Sequence, residues 1–465
     1  MVGVGRPGKT SHLRKGTAMK KNYQTTVHAG RITPKRPTIE RADDEAAPRG
    51  LPDTVTIAVA ELAGELEEGL LAFAVGTGLK VLDVILEEEA TALAGPRGRH
   101  DPERTAVRHG SDDGLVTLGG RQVSITRPRL RSADRTSEVQ LPTYAAASST
   151  ELLGREAMRK MLAKLSTRRY AVGLEPVGTA VEARSQGTSK SAVSRRFVTM
   201  TDSALSDLMA ADLSAEDLVV VMVDGVNFAS HCCVVALGID IEGNKIPLAL
   251  EEGDTENATV VKRLLVGLRE RGLDVTRPTL FVIDGSKALP PAIKAVFDHP
   301  VIARCQEHKV RNVRRHLSDK VGSIVEKRMR AAYRNPDPLV GQSQMEALVT
   351  ELERSHPGAA ASLREGLAET FTVARLGVPP TLARTVRSTN PIESMIEICR
   401  DHCTNVKRWK DGTMALRWCA AGMVEARKQF RRVNGHLHLR ALRAALEAHI
   451  AATTSRRSTG REEAA

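Results

Sequence analysis

A chain of 465 residues exceeds what one hydrophobic core holds, so several modules are expected. Its 68 Lys and Arg against 56 Asp and Glu leave a net charge of +12, an excess that suits a polyanionic partner such as nucleic acid. No apolar stretch reaches spanning length, the basic N-terminus lacks an apolar signal core, and the six cysteines include the adjacent pair Cys232-Cys233. The composition thus argues against a membrane span and a secreted disulfide scaffold, and places the chain in the cytoplasm with reduced thiols.

In chain order, residues 1–54 read as a disordered basic arm. The first 36 residues hold nine Lys or Arg and no acid. Met19 offers an alternative start within it. Residues 55–148 read as a helical module followed by a β-hairpin. Leu62, Leu66, Leu70 and Phe73, then Leu79, Leu82 and Leu86, keep helical spacing. Two short apolar runs, 115–118 and 121–125, flank Gly119-Gly120 in the pattern of a two-residue turn. Arg127, Arg129 and Arg131 follow at alternate positions and form either a basic face or a solvated edge.

Residues 149–212 read as a helix-turn-helix-like DNA-binding module. Leu152, Leu153, Met158, Met161, Leu162 and Leu165 make an amphipathic helix, and Thr167-Arg168-Arg169-Tyr170 leads into a short one. Gly187-Thr-Ser189-Lys190 then opens a helix that would enter the major groove. Arg168, Arg169, Ser189, Lys190, Ser191, Ser194, Arg195 and Arg196 are its candidate contacts to phosphates and base edges. An ordinary helical linker would carry the same pattern.

From residue 213 the pattern changes to strands. Apolar runs at 218–223, 232–239 and 245–250 predict an antiparallel meander. A helix over 256–271, a strand over 279–283, a helix over 287–297, a strand over 301–304 and a helix over 306–317 follow. This βββαβαβα order is that of an RNase H-like core, a mixed sheet whose first and fourth strands are neighbours. Residues 213–317 are its first part, 318–384 an all-helical insertion, and 385–433 its second part. Residues 434–465 are a C-terminal helix with a tail that frays after 452. The fold class expected is α+β, a mostly helical multidomain chain.

Three carboxylates stand out. Asp224 closes Leu218-Val-Val-Val-Met-Val223, Asp284 closes Leu280-Phe-Val-Ile283, and each precedes a glycine. An ionised Asp at the tip of a buried strand is costly to desolvate unless a cation binds it. Glu393 falls in the first turn of a helix begun by Asn390-Pro391. Two strand-end aspartates and one helix-borne glutamate can hold two Mg²⁺ ions for phosphodiester chemistry. Taken singly, an Asp before Gly is more often a capped turn. Glu397, one turn further on, shares the face of Glu393 and is its rival.

The blocks Val223-Asp-Gly-Val226, Arg271-Gly-Leu273 with Ile283-Asp-Gly-Ser286, Arg304-Cys-Gln-Glu-His-Lys-Val-Arg-Asn312 and Arg387-Ser-Thr-Asn-Pro-Ile-Glu393 resemble, in order and spacing, bacterial Mutator-type insertion-sequence transposases. The resemblance covers about residues 50–435. It implies a DDE triad of Asp224, Asp284 and Glu393 that holds two Mg²⁺, with Mn²⁺ as substitute. It further implies a nucleoid-associated enzyme that binds double-stranded terminal inverted repeats, cleaves the element ends and joins the 3′-hydroxyls to target DNA. Synapsis of two ends implies a homodimer or higher. The helical insertion and the Cys-x-x-His of Cys305 and His308 are family features as well. The sequence departs after Glu393, where Ser394-Met-Ile-Glu397-Ile-Cys-Arg400 replaces a commoner Arg-rich helix and leaves Arg400 on the same face.

Around the triad, Arg304, Lys309 and Arg311 are expected to stabilise phosphate, with His308 beside them and Cys305 buried. Cys399-x-x-His402 repeats the Cys-x-x-His spacing, so a tetrahedral zinc site is an alternative. Trp409 and Trp418 are candidates for base stacking or for the core. Two other functions stay open. A structure-selective RNase H-like DNA nuclease would need neither the helix-turn-helix nor the insertion, and a domesticated non-catalytic DNA-binding relic would not need three intact acids.

Overall fold

A computed structural model describes residues 68–99, 102, 104–255 and 257–462, with side chains to Ser455. The basic arm, Met19, and Leu62 and Leu66 of the first helix lie outside the described residues. Among the described residues no helix is long and apolar enough to cross a membrane.

Helix α1 (Leu70–Ala94) packs across a hairpin of β1 (Ala106–Leu118) and β2 (Arg121–Ser132). Gly119 and Gly120 turn the hairpin at φ 52° and 88°, both in the region that glycine enters without strain. The strands run well beyond the expected segments, pairing from Leu118↔Arg121 to Ala106↔Ser132. β3 (Glu138–Val139) joins one edge, and α2 (Pro142–Ala147) follows. Leu86, Ala90, Val116, Val123 and Leu130 fill the core between helix and hairpin. Arg127 and Arg129 do not form an open basic face, because each pairs with Glu138 at 3.2 Å and Arg127 lies 4.6 Å from the Tyr144 ring.

α3 (Glu151–Leu162), α4 (Thr179–Ala183), β4 (Ser185–Gln186) and α5 (Lys190–Ala210) come next. Arg168 to Tyr170 form a turn that leads into a single 3₁₀ turn at Ala171–Gly173, so no short α-helix starts there. Between α4 and α5, β4 pairs with Gln122 and Val123 of β2 and stitches this segment to the hairpin. The buried Tyr170 hydroxyl donates to Gly120 O at 3.0 Å across the same junction. Val193 and Phe197 bury the inner face of α5, with Phe197 4.5 Å from Trp418.

The central sheet is built from β5 (Leu218–Phe228), β6 (His231–Asp240), β7 (Lys245–Glu252), β8 (Thr279–Ile283) and β9 (Pro300–Arg304), with α6 (Ala258–Glu270), α7 (Leu289–Lys294) and α8 (Gln306–Arg314) interposed and following. Its order is β7-β6-β5-β8-β9. The β7-β6-β5 pairs are antiparallel and the β5-β8-β9 pairs parallel, so the first and fourth strands are neighbours. The stretch 318–384, expected as an insertion, holds α9 (Asp319–Tyr333), α10 (Pro338–Ser355), α11 (Pro357–Arg364), α12 (Leu367–Thr370), α13 (Thr372–Arg375) and α14 (Pro380–Val386), the last of which runs two residues past it. It has a core of its own around Met329, Met345, Leu348 and Phe371, joined to α8 through Val310 and Val313.

α15 (Asn390–His402), α16 (Gly412–Gln429) and α17 (Leu439–Glu462) complete the chain. Side chains alternate across β5 with the period of a strand: Val220 and Met222 pack with α15 to α17, Val221 and Val223 with α6 and α7. The sheet is thus a middle layer buried on both sides, which is why its strands read as unbroken apolar runs. α17 stays helical to Glu462, past the expected fraying point, anchored by the buried Leu439, Leu442 and Leu446.

Candidate active site

Asp224 does not end its strand. β5 runs on to Phe228, still paired with β6, and Asp224 sits opposite Val235. Pairing with β8, however, stops at Val223↔Ile283. Asp224 and Asp284 therefore each stand one position beyond the last paired couple, where β5 and β8 part. The Gly225 N–H donates to Asp224 Oδ1 at 2.7 Å. Asp284 Oδ1 accepts the Ser286 N–H at 2.9 Å, and the Ser286 hydroxyl in turn donates to Thr255 O at 2.8 Å.

The third acid arrives on α15. Cys305 N–H donates to Ile283 O at 2.8 Å and Gln306 N–H to Arg387 O at 3.0 Å, which sets the starts of α8 and α15 side by side next to the end of β8. Cys305 caps α8 by accepting the His308 N–H at 3.5 Å and also accepts the Thr389 N–H at 3.4 Å. Thr389, fully buried, donates its hydroxyl to Glu393 Oε1 at 2.6 Å, and His308 Nδ1 lies 3.6 Å from that same oxygen. Glu397 is exposed, and Glu393 is the glutamate whose charge acts on Asp224. Sequence reasoning missed Thr389; the available signal was a threonine just before a helix and four residues ahead of an acid.

Burial pushes the Asp224 carboxyl up to about 6, and the charges of Asp284 and Glu393 push the same way, against the Gly225 hydrogen bond and His308. His308 is raised, chiefly by its hydrogen bond to Cys305 and then by Cys305, Glu393 and Asp224 charge, against burial. Burial raises the Cys305 thiol, but hydrogen bonds from His308 and Thr389 outweigh it and leave it lowered. The positive ends of α8 and α15 offset part of the carboxylate repulsion.

Two expected phosphate contacts are taken up by the protein. Arg304 is buried, pairs with Glu369 at 2.5 Å and Glu365 at 3.6 Å, and donates to Gly285 O. Lys309 is buried too, and its Nζ donates to Ser362 O at 2.7 Å and to Glu365 O. Burial first, then Arg304, brings its pKa down to about 8. Lys309 ties the helices after residue 318 to α8, and Arg304 ties them to the end of β9. Arg311 and Arg400 are exposed and, among the described residues, have no carboxylate partner.

The two Cys-x-x-His pairs do not meet. Cys399 is buried with its thiol directed to Cys419 O at 3.7 Å, while His402 Nδ1 lies 2.7 Å from Leu162 O. Among the described residues the tight group able to close on one ion is Cys305, His308 and Glu393, with ligand atoms within 4.8 Å. The thiol and imidazole of that group are engaged in hydrogen bonds, whereas the three acids supply hard oxygen donors with little cationic compensation. Carboxylate oxygens are the donors a hard divalent cation takes, whereas zinc takes thiolate and imidazole.

Of the expected DNA contacts, Arg168, Arg169, Ser189, Lys190, Ser191, Ser194 and Arg195 are exposed. Ser189 also caps α5 by accepting the Ala192 N–H at 3.3 Å. Arg196 turns inward to Gly187 O and Gln122. Trp418 is buried and Trp409 packs 4.9 Å from Phe228, so both belong to the core between β5 and α16.

The fold and site define an α/β protein with an acidic centre where parallel pairing ends. The chain belongs to the Mutator family of transposases: the sequence model described as "Transposase, Mutator family" matches residues 63–433. It is 25% identical over 367 residues to the transposase for insertion sequence element ISRM5 of Rhizobium meliloti (strain 1021), covering 78% of this chain and 90% of that one. It is 28% identical over 195 residues to a probable insertion-sequence transposase of Corynebacterium diphtheriae, covering 42% of this chain and 56% of that relative. A similar match, 28% over 220 residues, covers 46% of this chain and 67% of the IS6120 transposase of Mycolicibacterium smegmatis.

Proposed function

We propose that the chain is a DDE transposase on an RNase H-like core, cutting the ends of an insertion sequence and joining them to target DNA. The observation that carries this is the placement of Asp224 and Asp284 one step past Val223↔Ile283, with Glu393 close enough to raise the pKa of Asp224. Asp224, Asp284 and Glu393 would hold Mg²⁺, or Mn²⁺ in its place, and two such ions would lower the barrier to attack on a phosphodiester and stabilise the leaving oxygen. Thr389 engages one oxygen of Glu393, so the other would be available as a ligand. Asp224 must shed its proton before it can serve as a ligand.

The exposed residues at the start of α5, with Arg168 and Arg169, form the surface for double-stranded terminal repeats, in keeping with a helix-turn-helix-like role. Two ends must be held at once, so the working form is at least a homodimer, acting at the nucleoid in the cytoplasm. The test incubates the purified chain with Mg²⁺ and labelled repeat-end DNA. Nicked and joined products are expected, with Asp284→Asn and Glu393→Gln lowering both roughly a thousandfold or more. Cutting without joining would instead favour a nuclease, and full activity of Glu393→Gln would remove the third ligand from the proposal.

A further inference from the structure

A groove of about 500 Å³ runs beside the first turns of α15. Lys245, Arg384, Arg431 and Arg432 line it, and no carboxylate does. Some cations elsewhere on the surface are neutralised by ion pairs: Arg277 with Asp217 and Asp274, Arg330 with Glu307 and Glu326, Arg440 with Glu242. Among the described residues these four have no carboxylate partner, and Lys245 instead lies 4.5 Å from the Phe430 ring. In the adjoining hollow Asp240 is occupied by the Glu242 and Asn244 N–H groups and the Asn244 amide.

The cationic wall is held in place. After α16 the chain crosses to the turn between β6 and β7 as a short strap in which the N–H of buried Val433 donates to Gly243 O at 2.9 Å. The Thr385 hydroxyl donates to Asn434 O at 2.9 Å. Gly435 turns at φ 80° against Leu382, where a Cβ would stand 2.5 Å from the Leu382 nitrogen. Arg431 and Arg432 are therefore exposed side chains on a pinned backbone, opposite Arg384 of α14. Unpaired cations fixed before binding lose less freedom when an anion arrives. On the floor, Ser388, Asn390 and Ser394 add neutral hydrogen-bonding groups, and Ser394 directly follows Glu393.

We infer that this groove binds the sugar-phosphate backbone of the DNA strand adjoining the bond to be cut. The idea rests on the transposase reading and extends it to a surface separate from the α5 module. Four cations in an open groove, set beside an acidic centre that itself repels phosphate, suit a chain of phosphates better than a single anion.

The test uses the full chain and a short labelled duplex of arbitrary sequence, without divalent metal, and reads affinity by fluorescence anisotropy against salt. Each phosphate contact contributes a slope of about 0.9 in log affinity against log salt, so combining Arg384→Gln, Arg431→Gln and Arg432→Gln should reduce the slope by about 2 to 3. The three Arg→Lys changes should keep it. Replacing exposed Lys262, Lys294 and Lys327 with Gln, on α6, α7 and α9, should change it by less than about 1. If the triple variant melts early, Arg432→Gln alone is read for a loss of about 1. An unchanged slope, or equal loss in the lysine control, overturns the inference. Binding is measured without metal, so a failed cleavage assay leaves this result standing, and a failed groove leaves the triad untouched.

Discussion

Asp224 shows how burial and function are set against each other at one residue. Its carboxyl is raised from the ordinary 3.8 to about 6, first by burial and then by Asp284 and Glu393. Between those values the folded metal-free chain binds more protons than the unfolded one, so stability falls as pH rises through that window. Asp224→Asn removes the cost and should stabilise the metal-free protein by about 3 kcal/mol at pH 7, with little effect at pH 4, read from thermal melts. On the proposed mechanism the same competition would make divalent-cation binding strengthen as pH rises through about 6. A melting temperature that Asp224→Asn leaves unchanged at pH 7 would show that the carboxylate carries no such cost. The buried strand that leads into Asp224 was legible in its apolar run. The place of Asp224 inside that strand was not, because Asp-Gly has the signature of a turn and only pairing with β6 shows that β5 continues.

At the scale of elements, α8 and the end of β9 are where the helices after residue 318 are tied to the sheet. Lys309 links α8 to the C-terminal end of α11, and Arg304 links the end of β9 to Glu369. Lys309→Met keeps most of the buried methylenes but strands two carbonyls, and should cost about 1–3 kcal/mol in a denaturant melt. If both residues served mainly to contact phosphate, this change would weaken DNA binding and leave stability alone. Sequence reasoning placed them at phosphate because their partners, Ser362, Glu365 and Glu369, lie far along the chain within a helical region with no visible tie to residue 309. The helical spacing at 190–210 was equally readable, yet nothing in it disclosed that β4 pairs with β2, since a two-residue strand has no periodicity to detect. The five strands of the central sheet, by contrast, are buried on both faces and announce themselves as continuous apolar runs.

For the whole molecule, the two layers of helix depend on ties that cross the sheet edges. Arg271 donates from Nε to Gly267 O at 3.1 Å, from Nη1 to Leu208 O at 2.8 Å and from Nη2 to Leu248 O at 2.7 Å, joining α6, α5 and β7. Arg271→Ala should lower global stability by roughly 2–4 kcal/mol, because three carbonyls lose their donor together, and denaturant unfolding measures it. A loss under about 0.5 kcal/mol would mean that water replaces the guanidinium freely.

The closure of the insertion by Gln306 N–H on Arg387 O has a consequence in time. A ribosome makes the chain from its N-terminus, so Asp224 and Asp284 are made before the helices of 319–386, and Glu393 only after them. On the proposed mechanism, a nascent or prematurely terminated chain carries two of its three acids and cannot cut the DNA that encodes it. Competence arrives only with the last third of synthesis.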